Sequence, residues 1–88
     1  MQRRKELALR ILVLIEDMDR GSGVDERNVS NNIGGSPAAF EVDIHYHLGL
    51  LASGGFLRVE IQPSTYVNIY HMTWAGHDLL DKLVKEVQ

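Results

Sequence analysis

The stretch Ile44-His45-Tyr46-His47-Leu48-Gly49-Leu50-Leu51-Ala52-Ser53-Gly54-Gly55-Phe56-Leu57 decides the fold. Ile44, Leu48 and Leu51 recur at i, i+4 and i+7, with Phe40 one turn upstream and His47 on the same side. That period is helical, and this face points inward. Gly54 and Gly55 end the helix, because the left-handed backbone of a helix C-terminus is cheap only for glycine. Leu57, Val59 and Ile61 then alternate with Arg58, Glu60 and Gln62, the pattern of a half-buried strand.

Downstream, Pro63-Ser64-Thr65 makes a turn. Tyr66 to Met72 returns as a second strand, rich in aromatic and β-branched residues and apolar on both faces. Thr73 suits the N-cap of a closing helix from Trp74 to Val87, whose stripe is Leu80, Leu83, Val84 and Val87. Asp78 with Lys82 and Asp81 with Lys85 are acid-to-base pairs at i, i+4.

Upstream, Ser36-Pro37 reads as the N-cap and first residue of the central helix. Residues Gly21 to Gly35 are polar and glycine-rich, with Val24, Val29 and Ile33 as apolar anchors. They read as a mobile loop with one short strand or a single helical turn, Asn31-Asn32 and Gly34-Gly35 being turn chemistry. The first helix spans roughly Gln2 to Asp19, with Leu7, Ile11, Leu14, Ile15 and Met18 as its core stripe. Ala8 and Leu12 widen the stripe, and Leu9 and Val13 lie on a different face. A helix apolar on nearly every side is sandwiched in its own domain or covered by a partner. In a chain this small the second is favoured, which predicts a homodimer through the first and last helices. The order is helix, loop or short element, helix, hairpin, helix. This predicts a single α+β domain over residues 1–88 on the winged helix-turn-helix plan.

At 88 residues there is room for one core. Nine basic and twelve acidic residues give a formal charge of -3, opposite to the sign usual for a general nucleic-acid binder. The chain has no cysteine, which removes disulfides and thiolate chemistry and fits a reducing compartment. Arg3-Arg4-Lys5 before an apolar run resembles a signal peptide. Glu6 and Arg10 interrupt that run, Glu16-Asp17 close it, and no small-residue cleavage site follows. No membrane span is read either, so the expected place is the cytoplasm.

The chemistry-bearing residues are few. His45 and His47 sit about 200° apart on a helix and cannot share a metal, and no histidine pair lies at i, i+4, so no metal and no cofactor is expected. Asp43, one turn before His47, could orient its imidazole as in a catalytic dyad. No nucleophile accompanies the pair, so His47 is expected to donate a hydrogen bond at the edge of the core, and no enzyme is predicted. Trp74, His77 and Asp81 share one side of the closing helix. The expectation is that Trp74 packs on the hairpin while Asp81 pairs with His77; a small recognition patch is the alternative. Gly76 is expected to admit another backbone closely.

In a helix-turn-helix domain the helix from Ala38 to Ser53 would enter the major groove. Base readout and phosphate clamping favour Arg, Lys, Asn and Gln, and this helix has none. It carries Glu41 and Asp43, and its outward face is Val42, His45, Tyr46 and Gly49. The wing adds Arg58 beside Glu60. The expected interaction surface is therefore Val42, His45, Tyr46 and Arg58, with Leu9 and Val13, and a protein is the expected partner. A DNA-binding transcriptional regulator is the alternative, using Arg3, Arg4 and Lys5 with His45, Tyr46 and Arg58.

The segments Tyr46-His47-Leu48-Gly49-Leu50-Leu51, Gly54-Gly55-Phe56-Leu57 and Met72-Thr73-Trp74-Ala75-Gly76-His77-Asp78-Leu79-Leu80-Asp81 resemble a family of small uncharacterised bacterial and phage proteins. Its signature is a Tyr-His-x-x-Leu-Leu helix, an Ala-Gly-Leu-Ile turn and a Leu-Thr-Trp-x-Gly-His-x-Phe-Leu-Asp closing helix. The likeness covers roughly residues 42–81. Leu79 stands where that signature has phenylalanine, and the region from Gly34 to Phe40 is about one helical turn longer than the pattern. The resemblance implies a winged-helix fold and a bacterial or phage origin, with a host protein as partner. It implies no activity.

Overall fold

The glycine turn forms as a two-bond helix stop. Phe56 N–H donates to the Leu51 carbonyl at 2.9 Å and Gly55 N–H to the Ala52 carbonyl at 3.1 Å. Gly55 supplies the left-handed residue, φ +82°, and together these bonds satisfy two orphan carbonyls of the helix end. The computed structural model describes residues 4–33 and 38–87. It runs α1 (Lys5–Met18), β1 (Val24–Asp25), α2 (Glu26–Ile33), α3 (Ala38–Ser53), β2 (Leu57–Ile61), β3 (Asn68–Met72) and α4 (Trp74–Val87). Ser36, Pro37, Gly34-Gly35, Arg3 and the side chains of Phe40 and Glu41 lie outside the described residues.

The strands make one antiparallel sheet in the order β1-β3-β2. Val59 faces Tyr70 across the β2–β3 ladder, and Val24 faces Tyr70 from β1. Leu57, Val24 and Tyr70 are buried on the sheet's inner face. Ile44, Leu48 and Leu51 of α3 join Leu7, Ile11, Leu12 and Ile15 of α1 in a single core. From Ile44 to Leu51 the α3 stripe is as the spacing predicts.

α1 packs against α2, α3, α4 and β3. Its apolar circumference is thus largely covered within the chain: Ala8 and Leu12 are buried, and Leu9 and Leu14 pack half-buried on the core. Val13 is the exception at 47% exposed. α4 begins on the cap the sequence indicates. Thr73 Oγ1 accepts from Gly76 N–H at 2.9 Å and donates to the Gly55 carbonyl at 2.7 Å, tying the helix start to the glycine turn. Gly76 is needed there, because a Cβ at this position would lie 2.2 Å from the Phe56 carbonyl oxygen.

Six expectations are corrected. The segment after Gly21 holds β1 and the two-turn helix α2 rather than a loop with one short element. Asp25 caps α2, its Oδ1 accepting from Arg27 N–H at 2.7 Å, while Val29 and Ile33 bury against α1. Burial pushes the Asp25 carboxyl up, but the Arg27 side chain and N–H outweigh it and hold it below the usual carboxylate value. Asn31 and Asn32 lie inside α2 instead of in a turn. β2 is buried only at its base, since Val59 and Ile61 extend past the core and are exposed. Trp74 does not pack on the hairpin: as the first residue of α4 it is 85% exposed. His77 meets Glu16 of α1, Nδ1 to Oε2 at 3.0 Å, in place of Asp81. Neither i, i+4 acid–base pair of α4 is within ion-pair distance; the helix instead meets α1 through Lys5 and Glu86, 3.5 Å apart.

Among the described residues, four helices and a three-stranded antiparallel sheet make an α+β fold, compatible with a winged-helix arrangement. Among the described residues no helix is long and apolar enough to cross a membrane.

Candidate functional site

The outward face of α3 stands beside the inner face of the wing, and Glu26 joins them. Its Oε1 accepts the Tyr70 hydroxyl at 2.8 Å and lies 3.1 Å from His45 Nδ1. Tyr70 is buried, and burial together with the Glu26 carboxylate pushes its hydroxyl well above the usual tyrosine value. The phenol therefore stays a donor, and the carboxylate holds α2, α3 and β3 in register. His45 is exposed but anchored on one side by this carboxylate.

Exposed apolar side chains lie on α3 and on the wing, the two parts that this carboxylate links. Val42, one turn before His45, is 51% exposed, and Ile61 on β2 is 60% exposed. Val59 and the loop residue Tyr66 are exposed as well. Val59 and Ile61 share the sheet face of Tyr70, because ladder partners point the same way. Tyr46 is half-buried and stands edge-on to the His47 ring, centroids 5.6 Å apart at 84°.

The cations expected to contact nucleic acid are arranged differently. Arg58 faces His71 across the ladder, on the sheet face opposite Tyr70 and hence away from Glu26. The Arg4 guanidinium lies 3.7 Å from the Asp43 carboxylate, and Lys5 pairs with Glu86. Arg3 is outside the described residues. Leu9 and Val13 line a shallow trough between α1 and α2 with Leu14 and Ile33, on a different part of the molecule. At its edge the Arg10 guanidinium donates to the Ile33 carbonyl, a free acceptor at the end of α2. The structure thus links His45 of α3 to Tyr70 of the sheet through Glu26, and sets Arg58 on the other sheet face and Leu9 and Val13 on another part of the molecule.

His47 has a structural task. It is 1% exposed. Its Nε2 accepts the backbone N–H of Arg4 at 2.9 Å, at the start of α1, and its Nδ1 lies 2.8 Å from the Asp43 carbonyl. An N–H can only donate, so Nε2 is the unprotonated nitrogen and Nδ1 carries the proton. The imidazole is neutral and pins the start of α1 to α3. Its donation to the Asp43 backbone carbonyl agrees with the core-edge reading of this residue; the Asp43 carboxylate turns to Arg4 instead.

Among the described residues no three His, Asp or Glu side chains cluster as metal ligands do. His71 lies 3.4 Å from Glu60 on the outer sheet face. Comparison of the chain with protein-family models, with curated proteins and with solved structures finds no match. Sequence reasoning missed Ile61, Val59 and Trp74 as exposed apolar side chains. The signal for Trp74 was its place just after the Thr73 cap, where a side chain precedes the first buried turn.

Proposed function

We propose that this chain is a non-enzymatic winged-helix protein that binds a protein partner through the outward face of α3 and the apolar edge of the wing. The observation that carries the reading is that Val42, Val59 and Ile61 are exposed, with Tyr46 half-buried, on the helix and wing where a DNA-reading winged helix presents cations. Arg58 turned to the other sheet face, and Arg4 and Lys5 engaged with acids, support it. The partner it fits presents an apolar surface with few charges, the usual core of a protein interface. A bacterial or phage regulatory role accords with the closing-helix motif around Trp74-Ala75-Gly76-His77. The homodimer expected through the first and last helices is a separate proposal that rests on exposed Val13, because Leu9 packs half-buried on the core.

The second reading is a DNA-binding regulator that would use Arg4 and Lys5 with His45, Tyr46 and Arg58. Affinity capture from a bacterial host lysate separates the two. The expected result is a protein retained by the wild type and lost with Val42→Asp and with Ile61→Asp, both at exposed sites. A partner retained equally by both variants, or none retained by any of the three, contradicts it.

A further inference from the structure

The opposite flank of α3 carries a feature that the protein-binding surface does not use. A cleft of about 380 Å³ opens between α1, α3 and α4. Its floor is Ala8, His47, Leu51 and Leu83, all buried. Half-buried Leu50, Phe56 and Leu79 form its walls. Lys5, Lys82 and Glu86 stand at the rim, all exposed.

We propose that this cleft is a binding site for a medium-chain fatty carboxylate. Three observations select that class. Inside the charged rim the lining is apolar apart from His47, and both ring nitrogens of His47 are already bonded to backbone, so the interior asks for a body without polar groups. The volume lies in the range of small-ligand pockets. It corresponds to on the order of a dozen water-sized groups at about 30 Å³ each, the length of an eight- to twelve-carbon chain. The rim has two lysines against one carboxylate. Lys5 is paired with Glu86, and Lys82 has no ion-pair partner within 4.0 Å among the described residues. One uncompensated cation at the mouth of an apolar cleft complements a single anionic head on an apolar tail. The tail lies along Leu50, Phe56 and Leu79, and the carboxylate accepts hydrogen bonds from Lys82 Nζ.

The cleft depends on the turn around which the fold is built. Leu51 and Phe56 are the residues joined by the bond that closes α3, and both line it. Trp74 is absent from the lining, so the protein's one indole is not a reporter for this site. Calorimetry is the suitable readout.

The test titrates sodium decanoate, below its micelle concentration, into the full chain by isothermal titration calorimetry, with 1-decanol as the uncharged comparison. Two variants accompany it: Lys82→Glu, which reverses the free charge at an exposed position, and Leu50→Glu, which places a carboxylate in the wall. Circular dichroism checks that each variant folds; if Leu50→Glu does not, Lys82→Glu decides alone. The expected result is saturable one-to-one binding of decanoate, weakened about fivefold by Lys82→Glu, the upper reach of an exposed charge pair. Leu50→Glu abolishes it, and decanol binds more weakly than decanoate. Absence of saturable binding overturns the proposal. So does binding that Lys82→Glu leaves unchanged, which marks non-specific adsorption of the tail. Analytical ultracentrifugation that finds a dimer dissociated by Leu50→Glu, with no decanoate bound, assigns the cleft to a second copy of the chain and equally overturns it.

Discussion

Replacing Gly76 by alanine tests the joint between α4 and the glycine turn. Two effects oppose each other. Alanine is favoured over glycine within a helix by about 0.8–1.0 kcal/mol, and less here, in the first turn. Against this, the added Cβ falls 2.2 Å from the Phe56 carbonyl oxygen and 3.4 Å from Met72 Sδ. A backbone oxygen cannot rotate away, so α4 must move by about 1 Å, and overpacking of this kind costs about 1–3 kcal/mol. The helix is not free to move without loss, because Thr73 Oγ1 links Gly76 N–H to the Gly55 carbonyl. The net expectation is a destabilisation of about 2 kcal/mol, or a fall in Tm of roughly 8–16 °C for a domain of this size. Gly49 provides the control. It lies in the interior of α3 with nothing within 4 Å of a built Cβ, so Gly49→Ala should raise Tm by roughly 4–8 °C through helix propensity. Differential scanning calorimetry of the three proteins gives the answer. A Gly76→Ala protein as stable as the wild type refutes the close approach of α4 to Phe56. If both variants are destabilised alike, the distinction drawn between the two glycines is wrong.

Thr73→Ala removes both bonds of its hydroxyl and should cost about 1–2 kcal/mol in urea unfolding, whereas Thr73→Ser should cost less than half as much. Asp19 accepts N–H bonds from Gly21 at 2.8 Å and Gly23 at 3.0 Å. Burial pushes its carboxyl up, but those bonds outweigh it and hold it below the ordinary value. A depressed folded pKa stabilises above the unfolded value near ~3.9 and is lost as pH falls through the folded one. The stability gap between wild type and Asp19→Ala should therefore be full at pH 7 and shrink on acidification below about pH 4; a gap that widens on acidification has the wrong sign. For the dimer, sedimentation equilibrium should show self-association that Val13→Lys weakens, and a monomer at millimolar concentration removes Leu9 and Val13 from the account.

The central hairpin of helix, glycine turn and strand was legible because the apolar period changes from 3.6 to 2 at Gly54-Gly55. Thr73 and Gly76 were legible because a cap and a close approach restrict residue type locally. α2 was not, since Glu26–Ile33 offers two apolar residues and four asparagine or serine neighbours of low helix propensity. Its stability comes from Val29 and Ile33 packing on α1, which no local window contains. The alternation of Leu57, Val59 and Ile61 fixed which face they share. It did not say where the core stops, and only Leu57 is covered. The long-range partners of the histidines were not legible for a related reason. His47 bonds Arg4 at a separation of 43 residues and His77 meets Glu16 at 61, while local reading paired His77 with Asp81. An apolar helix such as α1 likewise looks short of cover until α2, α3, α4 and β3 are folded around it.

The proposed absence of a DNA-reading surface is tested most directly by fluorescence anisotropy of labelled random and promoter duplexes at about 50 mM salt, where phosphate-driven binding is strong. With Arg58 facing away from α3 and Arg4 and Lys5 paired to acids, the expected anisotropy stays flat up to about 100 µM protein, the weak limit of ordinary non-specific binding. A submicromolar transition that falls steeply as salt is raised contradicts the account and makes α3 a recognition helix after all.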